Sequence, residues 1–105
     1  MIKAFRMRVH PNRMAEYEQR HNPIWPELTA TLIAHGVRRY FIFLDETTAD
    51  LFAYAEVESD EQWNAIAATE VCQRWWHSMK TLMPSHQDGR PESRGLRQVF
   101  ALDSH

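Results

Sequence analysis

The chain contains few of the residues that hold disulfide-stapled or metal-bound proteins together. Cys72 is the only cysteine among 105 residues, so an internal disulfide framework is excluded. The three glycines, at positions 36, 89 and 95, form no glycine-rich phosphate loop. No closely spaced histidine and cysteine pair lies on one helix turn. These absences leave a zinc site and a nucleotide-phosphate site without support.

Excess charge and long apolar runs are also missing. The net charge is −2, with both signs interspersed, so we expect no nucleic-acid partner. No apolar run approaches the roughly 20 residues that cross a bilayer, and residues 1–6 carry charges where a secretory signal has an apolar core. A lone cysteine fits a reducing compartment. We expect a single domain over residues 1–105, in the cytoplasm and away from membranes.

What the chain does contain is a regular succession of strand and helix patterns. Segment 37–44 is apolar on both faces, so we expect both of its faces to be covered. A short polar connection joins it to the next strand, which favours an antiparallel hairpin. The four predicted strands are 2–9, 37–44, 51–58 and 96–102.

Helix patterns fill the two longer gaps between these strands. Asn12 is the predicted N-cap of a helix over 13–21, and Pro26 opens a second helix that ends at Gly36. Ser59 and Thr69 are predicted to cap two further helices. The order strand, helices, strand, strand, helices, strand is that of an α+β split βαβ sandwich, the ferredoxin-like arrangement. We expect a second subunit and a ligand pocket to account for the sheet face that the helices leave free.

His21 is the first candidate for chemistry. It stands at the predicted end of a helix, and Tyr17, four residues earlier, shares its helix face. The negative end of the helix dipole favours the protonated imidazole, and a histidine that titrates near neutral pH is a suitable proton donor or acceptor. The structural alternative is a surface histidine at a helix end.

Aromatic residues are the second signal. Trp75 and Trp76 are adjacent on a predicted helix, so together they span a wide face, and flat aromatic rings bind the C–H-rich face of a sugar. Core or dimer contacts explain the pair equally well. The hydroxyl of Tyr40 suits either a ligand hydroxyl or a backbone carbonyl. Cys72 next to a histidine would make a nucleophile pair, but its pattern is typical of a core residue.

Two longer stretches carry a family resemblance. RHNPIWPEL at 20–28 and VCQRWW at 71–76, together with Tyr40 and 43–45, resemble the L-rhamnose mutarotases, and the resemblance runs from residue 1 to about residue 102. It implies a homodimer of ferredoxin-like subunits, of the dimeric α+β barrel type. It also implies interconversion of the α and β anomers of L-rhamnose, a small sugar substrate, without a metal or an organic cofactor. The resemblance makes His21 the proton donor and makes Tyr17, Tyr40, Trp75 and Trp76 the sugar-binding residues.

Two features depart from the family pattern and leave alternatives open. Arg39 replaces a small polar residue, and the loop at 85–91 differs from the family type, so a closely related 6-deoxy sugar is an alternative substrate. A small ferredoxin-like monooxygenase, with a helix histidine as iron ligand, is the competing enzyme class. A non-enzymatic sugar-binding dimer is the third interpretation.

Overall fold

The computed structural model describes residues 1–104, in which strands and helices follow the predicted order. The sheet is antiparallel throughout and its strand order is β2-β3-β1-β4, which confirms the ferredoxin-like α+β fold. Within the same residues, no helix combines the length and apolar character needed to cross a bilayer. The strands are β1 Ile2–Arg8, β2 Val37–Asp45, β3 Asp50–Val57 and β4 Arg94–Gly95; the helices are α1 Met14–Arg20, α2 Pro26–Ala34, α3 Asp60–Ile66 and α4 Glu70–Met79.

Most of the predicted helix caps are correct. The hydroxyl oxygens of Ser59 and Thr69 accept hydrogen bonds from the backbone N–H three residues on, at 3.2 and 3.4 Å. The prediction for Asn12 is wrong, because Asn12 lies inside a 3₁₀ turn over Pro11–Arg13 that precedes α1. The proline has its φ preset for a helical turn, so the helical path begins one residue earlier than Asn12.

The last strand is shorter than predicted and lies earlier. Gly95 pairs with Phe5 of β1, and the N–H of Leu96 still donates to the Ala4 carbonyl at 2.9 Å. The predicted strand at 96–102 is wrong because this antiparallel path soon runs past the start of β1. Three apolar side chains beyond that point are highly exposed: Val99 at 79%, Phe100 at 76% and Leu102 at 82%. We call residues 96–104 the C-terminal arm.

The core lies between the sheet and the helices and consists of two clusters of buried residues. Ala53 belongs to one cluster of buried residues and Ala55 to another, although they are neighbours on the same face of β3. Small side chains at the centre of the sheet leave room for large rings from the other elements. Three half-buried residues pack against both clusters: Leu32, Tyr40 and Trp76.

The other side of the sheet is not covered by helices. Phe41, Phe43 and Phe52 are exposed to 47%, 61% and 38%, and the ring of Phe41 stacks on that of Tyr54 with centroids 6.2 Å apart. We call these four residues the open face. The expected cover on the helix side of β2 is confirmed, while the expected cover on the open face stays a prediction.

Gly36 is required where α2 ends. Its φ of +81° lies in the left-handed region, and a Cβ there would lie 3.0 Å from the Glu58 Cβ. We expect Gly36→Ala to lower the free energy of unfolding by about 1–2 kcal/mol, measured by urea denaturation. Gly95→Ala is the matched control, because a Cβ at Gly95 meets nothing within 4 Å. Equal loss of stability in the two variants would contradict this account.

Candidate functional site

His21 is the C-cap of α1, as the sequence predicted. Its Nδ1 lies 2.8 Å from the carbonyl oxygen of Tyr17, one turn earlier. Because a carbonyl only accepts hydrogen bonds, Nδ1 carries the proton in this contact. The neutral imidazole therefore presents a bare Nε2, which is able to accept a proton.

The pKa of His21 is below its ordinary value of 6.5. Burial of the ring is the main cause, because a desolvated imidazolium is disfavoured, and the hydrogen bond to the Tyr17 carbonyl acts in the opposite direction. The expectation that the helix dipole favours the protonated form is therefore wrong. Burial of the ring, which the position at the helix end alone does not reveal, sets the direction of the pKa shift, and the neutral imidazole dominates at neutral pH.

Rings from two helices enclose the imidazole. The Tyr17 ring lies 4.4 Å from the His21 ring, centroid to centroid, and the Trp75 ring meets the imidazole edge to face at 5.1 Å. Both Tyr17 and Trp75 are buried. The structure thus brings together three of the residues that the sequence singled out, two from the end of α1 and one from α4.

Tyr40 and Trp76 lie where the two core clusters meet. The Tyr40 ring is 6.3 Å from that of Phe5 and 5.9 Å from that of Trp63. The charge interaction between Tyr17 and Tyr40 is one cause of the raised Tyr40 pKa, so the two phenols lie near each other. The five predicted residues therefore belong to one region between the sheet, α1 and α4.

Both phenols of this region stay protonated at neutral pH. Burial raises the pKa of Tyr17 and of Tyr40 above the ordinary value. Among residues 1–104, every fully buried side-chain nitrogen or oxygen atom has a hydrogen-bond partner. Within the same residues, the hydroxyls of Tyr17 and Tyr40 have no protein hydrogen-bond partner. These hydroxyls are therefore not completely closed off from solvent, and each retains the capacity for a further hydrogen bond.

Phe5 and Trp63 lie beside Tyr40 in the candidate site and carry no functional signal in the sequence. Trp63 shows only helix spacing and Phe5 only strand alternation. Their rings contact each other at 6.0 Å and both contact Tyr40. Local spacing gives no signal for these contacts, because they join β1, β2 and α3. The one hint in the sequence is the small size of Ala53 and Ala55, which pair with Phe5 and Tyr40 in the sheet.

A surface cleft of about 350 Å³ borders the region at the end of α1. Trp75 forms part of its wall and meets Trp25 edge to face at 5.1 Å. Two of the residues at the cleft are bonded to each other, since the guanidinium of Arg20 on α1 donates to the carbonyl oxygen of Ser78 on α4. The cleft is lined by Arg20, Pro23, Trp25, Trp75 and Ser78.

The remaining candidates from the sequence are Cys72, Arg39 and the loop at 85–91. Cys72 is buried in the second core cluster, and burial raises the pKa of its thiol to about 11, so a thiolate nucleophile is disfavoured. Within residues 1–104, no three histidine, cysteine or carboxylate side chains are grouped in a way that would hold a metal ion. Arg39 is exposed, and its backbone lies opposite that of Glu56 on β3 in the sheet. The loop at 85–91 closes on itself through a hydrogen bond of 2.7 Å from the His86 N–H to the Arg90 carbonyl.

Comparisons with known proteins agree with one another. A family model described as L-rhamnose mutarotase matches residues 3–102. A curated L-rhamnose mutarotase of Yersinia pestis (strain Pestoides F) is 56% identical over 101 residues, which cover 96% of this chain and 97% of the relative.

Solved structures extend the likeness to the fold. The L-rhamnose mutarotase of Formosa agariphila superposes with a TM-score of 0.89 at 35% identity, over 98% of this chain and 99% of that one. A dimeric ferredoxin-like protein from an uncultured marine organism has a TM-score of 0.66 at 16% identity, over 99% and 96% of the two chains, and shows the fold alone. The chain belongs to the L-rhamnose mutarotase family.

Proposed function

We propose that this protein performs the reaction of its family, the interconversion of the α and β anomers of L-rhamnose, with His21 as the group that moves the proton. The observation that carries the proposal is the environment of the imidazole. Its Nδ1 is held by the Tyr17 carbonyl at 2.8 Å and its ring contacts those of Tyr17 and Trp75, which leaves Nε2 as the nitrogen that accepts a proton.

Anomer exchange needs only proton transfers within a neutral molecule. Ring opening breaks the bond between C1 and the ring oxygen O5, while the anomeric hydroxyl O1 becomes the aldehyde oxygen. One proton leaves O1 and one reaches O5. The aldehyde then rotates about the C1–C2 bond, and reclosure on the other face reverses both transfers. Atoms and electrons balance without an oxidant, a reductant or a second substrate.

A single imidazole is able to serve both transfers. In the neutral form, Nε2 of His21 accepts the proton from O1, and the resulting imidazolium donates it to O5. Both oxygens are bonded to C1, so one nitrogen reaches either of them with a small shift of the sugar. The Tyr17 carbonyl stabilises the transient imidazolium through Nδ1–H. His21 thus acts as the proton donor that the family resemblance implied, after first acting as the base.

The remaining predicted residues bind and orient the sugar. The hydroxyls of Tyr17 and Tyr40 are protonated and donate or accept hydrogen bonds, but their raised pKa values make them unsuitable as bases at neutral pH. Trp75 and Trp76 offer stacking surfaces for the C–H groups of the ring. Stacking holds the sugar without fixing C1, which suits a site that must close the ring on either face.

The site favours this function over the two alternatives. A sugar-binding dimer without catalysis has no use for an imidazole with a free Nε2 beside the aromatic surfaces. A ferredoxin-like monooxygenase is not favoured either, because family membership rests on 56% identity to a mutarotase over nearly the full chain.

The preference for L-rhamnose over a related 6-deoxy sugar is part of this proposal. So is the assignment of one cytoplasmic mutarotase domain to residues 1–105, which the single buried thiol supports.

We further propose that the active form is a homodimer, in which a second copy covers the open face. The three exposed phenylalanines of that face and the apolar side chains of the C-terminal arm leave a large apolar area in water. The arm extends past the start of β1, so its apolar side chains have no strand of their own subunit beside them. An isologous contact between two copies would bury both features at once.

Replacing the proposed proton carrier tests the mechanism. We expect His21→Ala to lower kcat for anomer exchange by about 10²–10⁴-fold, the usual contribution of a positioned acid–base group. Saturation-transfer NMR on L-rhamnose measures the exchange rate above the uncatalysed background. His77→Ala is the control, because His77 is an exposed histidine on α4. Unchanged exchange in His21→Ala would remove His21 from the mechanism.

The pH dependence tests which form of His21 starts the reaction. The pKa of His21 is lowered, and the neutral imidazole is the form that accepts the O1 proton. We therefore expect kcat/KM to rise with pH through a midpoint below 6.5, the ordinary histidine value, and then to stay level through neutral pH, where both tyrosines are still protonated. A kcat/KM that instead falls with rising pH at the same midpoint would show that the imidazolium is the starting form.

A charge on the open face tests the homodimer. We expect wild-type protein to show about twice the 12.4 kDa monomer mass in light scattering, and Phe43→Asp to shift it to the monomer, because a buried unpaired carboxylate is costly. Ile33→Asp is the control, since Ile33 is 66% exposed on α2 and Phe43 is 61% exposed on β2. Wild-type protein of monomer mass would contradict the dimer.

A further inference from the structure

Arg20 connects the two helices that carry the site. It is the last residue of α1 and directly precedes His21. Its Nη2 donates to the carboxylate of Glu16, one turn earlier on α1, at 2.5 Å. Its Nη1 donates to the backbone carbonyl of Ser78 on α4. One planar group thus bonds to both helices.

The carbonyl that Arg20 reaches belongs to the turn that carries Trp75. The hydroxyl of Ser78 donates to the Trp75 carbonyl at 2.6 Å, and the Trp75 ring meets the imidazole of His21 edge to face at 5.1 Å. The bridge therefore crosses from α1 to α4 at the place where these two rings touch.

We infer that Arg20 is a positioning residue, which holds the end of α1 against α4 and thereby keeps the imidazole of His21 in place against Trp75. The inference rests on the proposed role of His21. Arginine suits this task because its rigid fork binds two acceptors at once, whereas the ammonium of lysine is a point charge on a flexible stem.

Arg20 contributes more to the position of the imidazole than to the stability of the fold. The side chains of Arg20 and Glu16 are 33% and 35% exposed, and ion pairs this accessible to water contribute little to folding. The position of the reacting group has a larger effect, because a displacement of about 1 Å can lower the rate by about 10²-fold.

Arg13 provides a matched comparison. It donates to the other oxygen of the same Glu16 carboxylate at 2.7 Å, from the start of α1. The pKa of the Glu16 carboxyl is held below its ordinary value first by Arg20 and then by Arg13. Replacing Arg13 removes a similar ion pair and leaves the bridge to α4 intact.

The test compares Arg20→Gln, Arg20→Lys and Arg13→Gln in the full-length protein. We measure kcat and KM for anomer exchange of L-rhamnose by saturation-transfer NMR, and thermal unfolding in parallel. Arg20→Gln is expected to lower kcat by about 10–100-fold with little change in KM, because the sugar still binds while the imidazole is displaced. Arg20→Lys is expected to retain an intermediate kcat, since the ammonium replaces only part of the fork. Arg13→Gln is expected to match wild type.

Three outcomes would overturn the inference. One is a kcat for Arg20→Gln equal to that of Arg13→Gln, whatever its melting temperature. A second, if Arg20→Gln does not fold, is a wild-type kcat for Arg20→Lys. A third is a loss confined to KM. Failure of the proposed function can be told apart from failure of the Arg20 inference, because in the first case His21→Ala would leave the exchange rate unchanged. A strong loss in His21→Ala with normal kcat in both Arg20 variants would remove the Arg20 inference alone.

Discussion

The hydrogen bond between the Tyr17 carbonyl and Nδ1 of His21 is the contact on which the site depends. It arises at a helix end, where the last carbonyls have no intrahelical partner, so a side chain of the following residues is able to use one of them. The bond selects the tautomer, and with it the nitrogen that is left to accept a proton. It also opposes the effect of burial on the pKa, since a carbonyl favours the imidazolium. A partly buried ring that still accepts a proton is the result of these two opposing effects.

The second constraint is the small size of two side chains at the centre of the sheet. Ala53 and Ala55 lie on the helix side of β3 and are almost fully buried. Ala53 pairs with Phe5 and Ala55 with Tyr40 in the sheet, so larger side chains there would crowd these two rings. The core has two clusters, and the residues that pack against both include two of the predicted sugar-binding residues. The site is thus a consequence of how the core is packed, and not an addition to its surface.

Local patterns in the sequence predicted much of the fold. The helix from Pro26 to its glycine end, the hairpin, and the caps at Ser59 and Thr69 depend on neighbouring residues only, and all of them are confirmed. The last strand was misplaced because a strand needs a neighbour, and the length of β1 decides where that neighbour ends. The Asn12 cap was wrong because a proline beside it starts the turn earlier.

Prediction of the site had a similar limit. The juxtaposition of Tyr17 and His21 follows from helix periodicity, and the structure shows it. The contact of His21 with Trp75 and the wall of Phe5 and Trp63 join residues far apart in the chain, so spacing alone gave no reason to expect them. The predicted direction of the His21 pKa shift was wrong for the same reason. The helix dipole is a local property, whereas the burial of the ring is set by the whole fold.

Arg20 and His21 are adjacent in sequence, and this adjacency has a structural consequence. At the end of a helix, consecutive side chains point in directions about 100° apart, so the two side chains meet different neighbours although both residues are half-buried. The guanidinium bonds to a carboxylate on α1 and to a carbonyl on α4, while the imidazole contacts the rings of Tyr17 and Trp75 and its pKa is lowered by burial. Exchanging these two environments would place a permanent cation among aromatic rings without a carboxylate beside it, which is costly. The order Arg-His at the end of α1 is therefore the order that places the permanent cation beside Glu16 and the titratable ring beside Trp75.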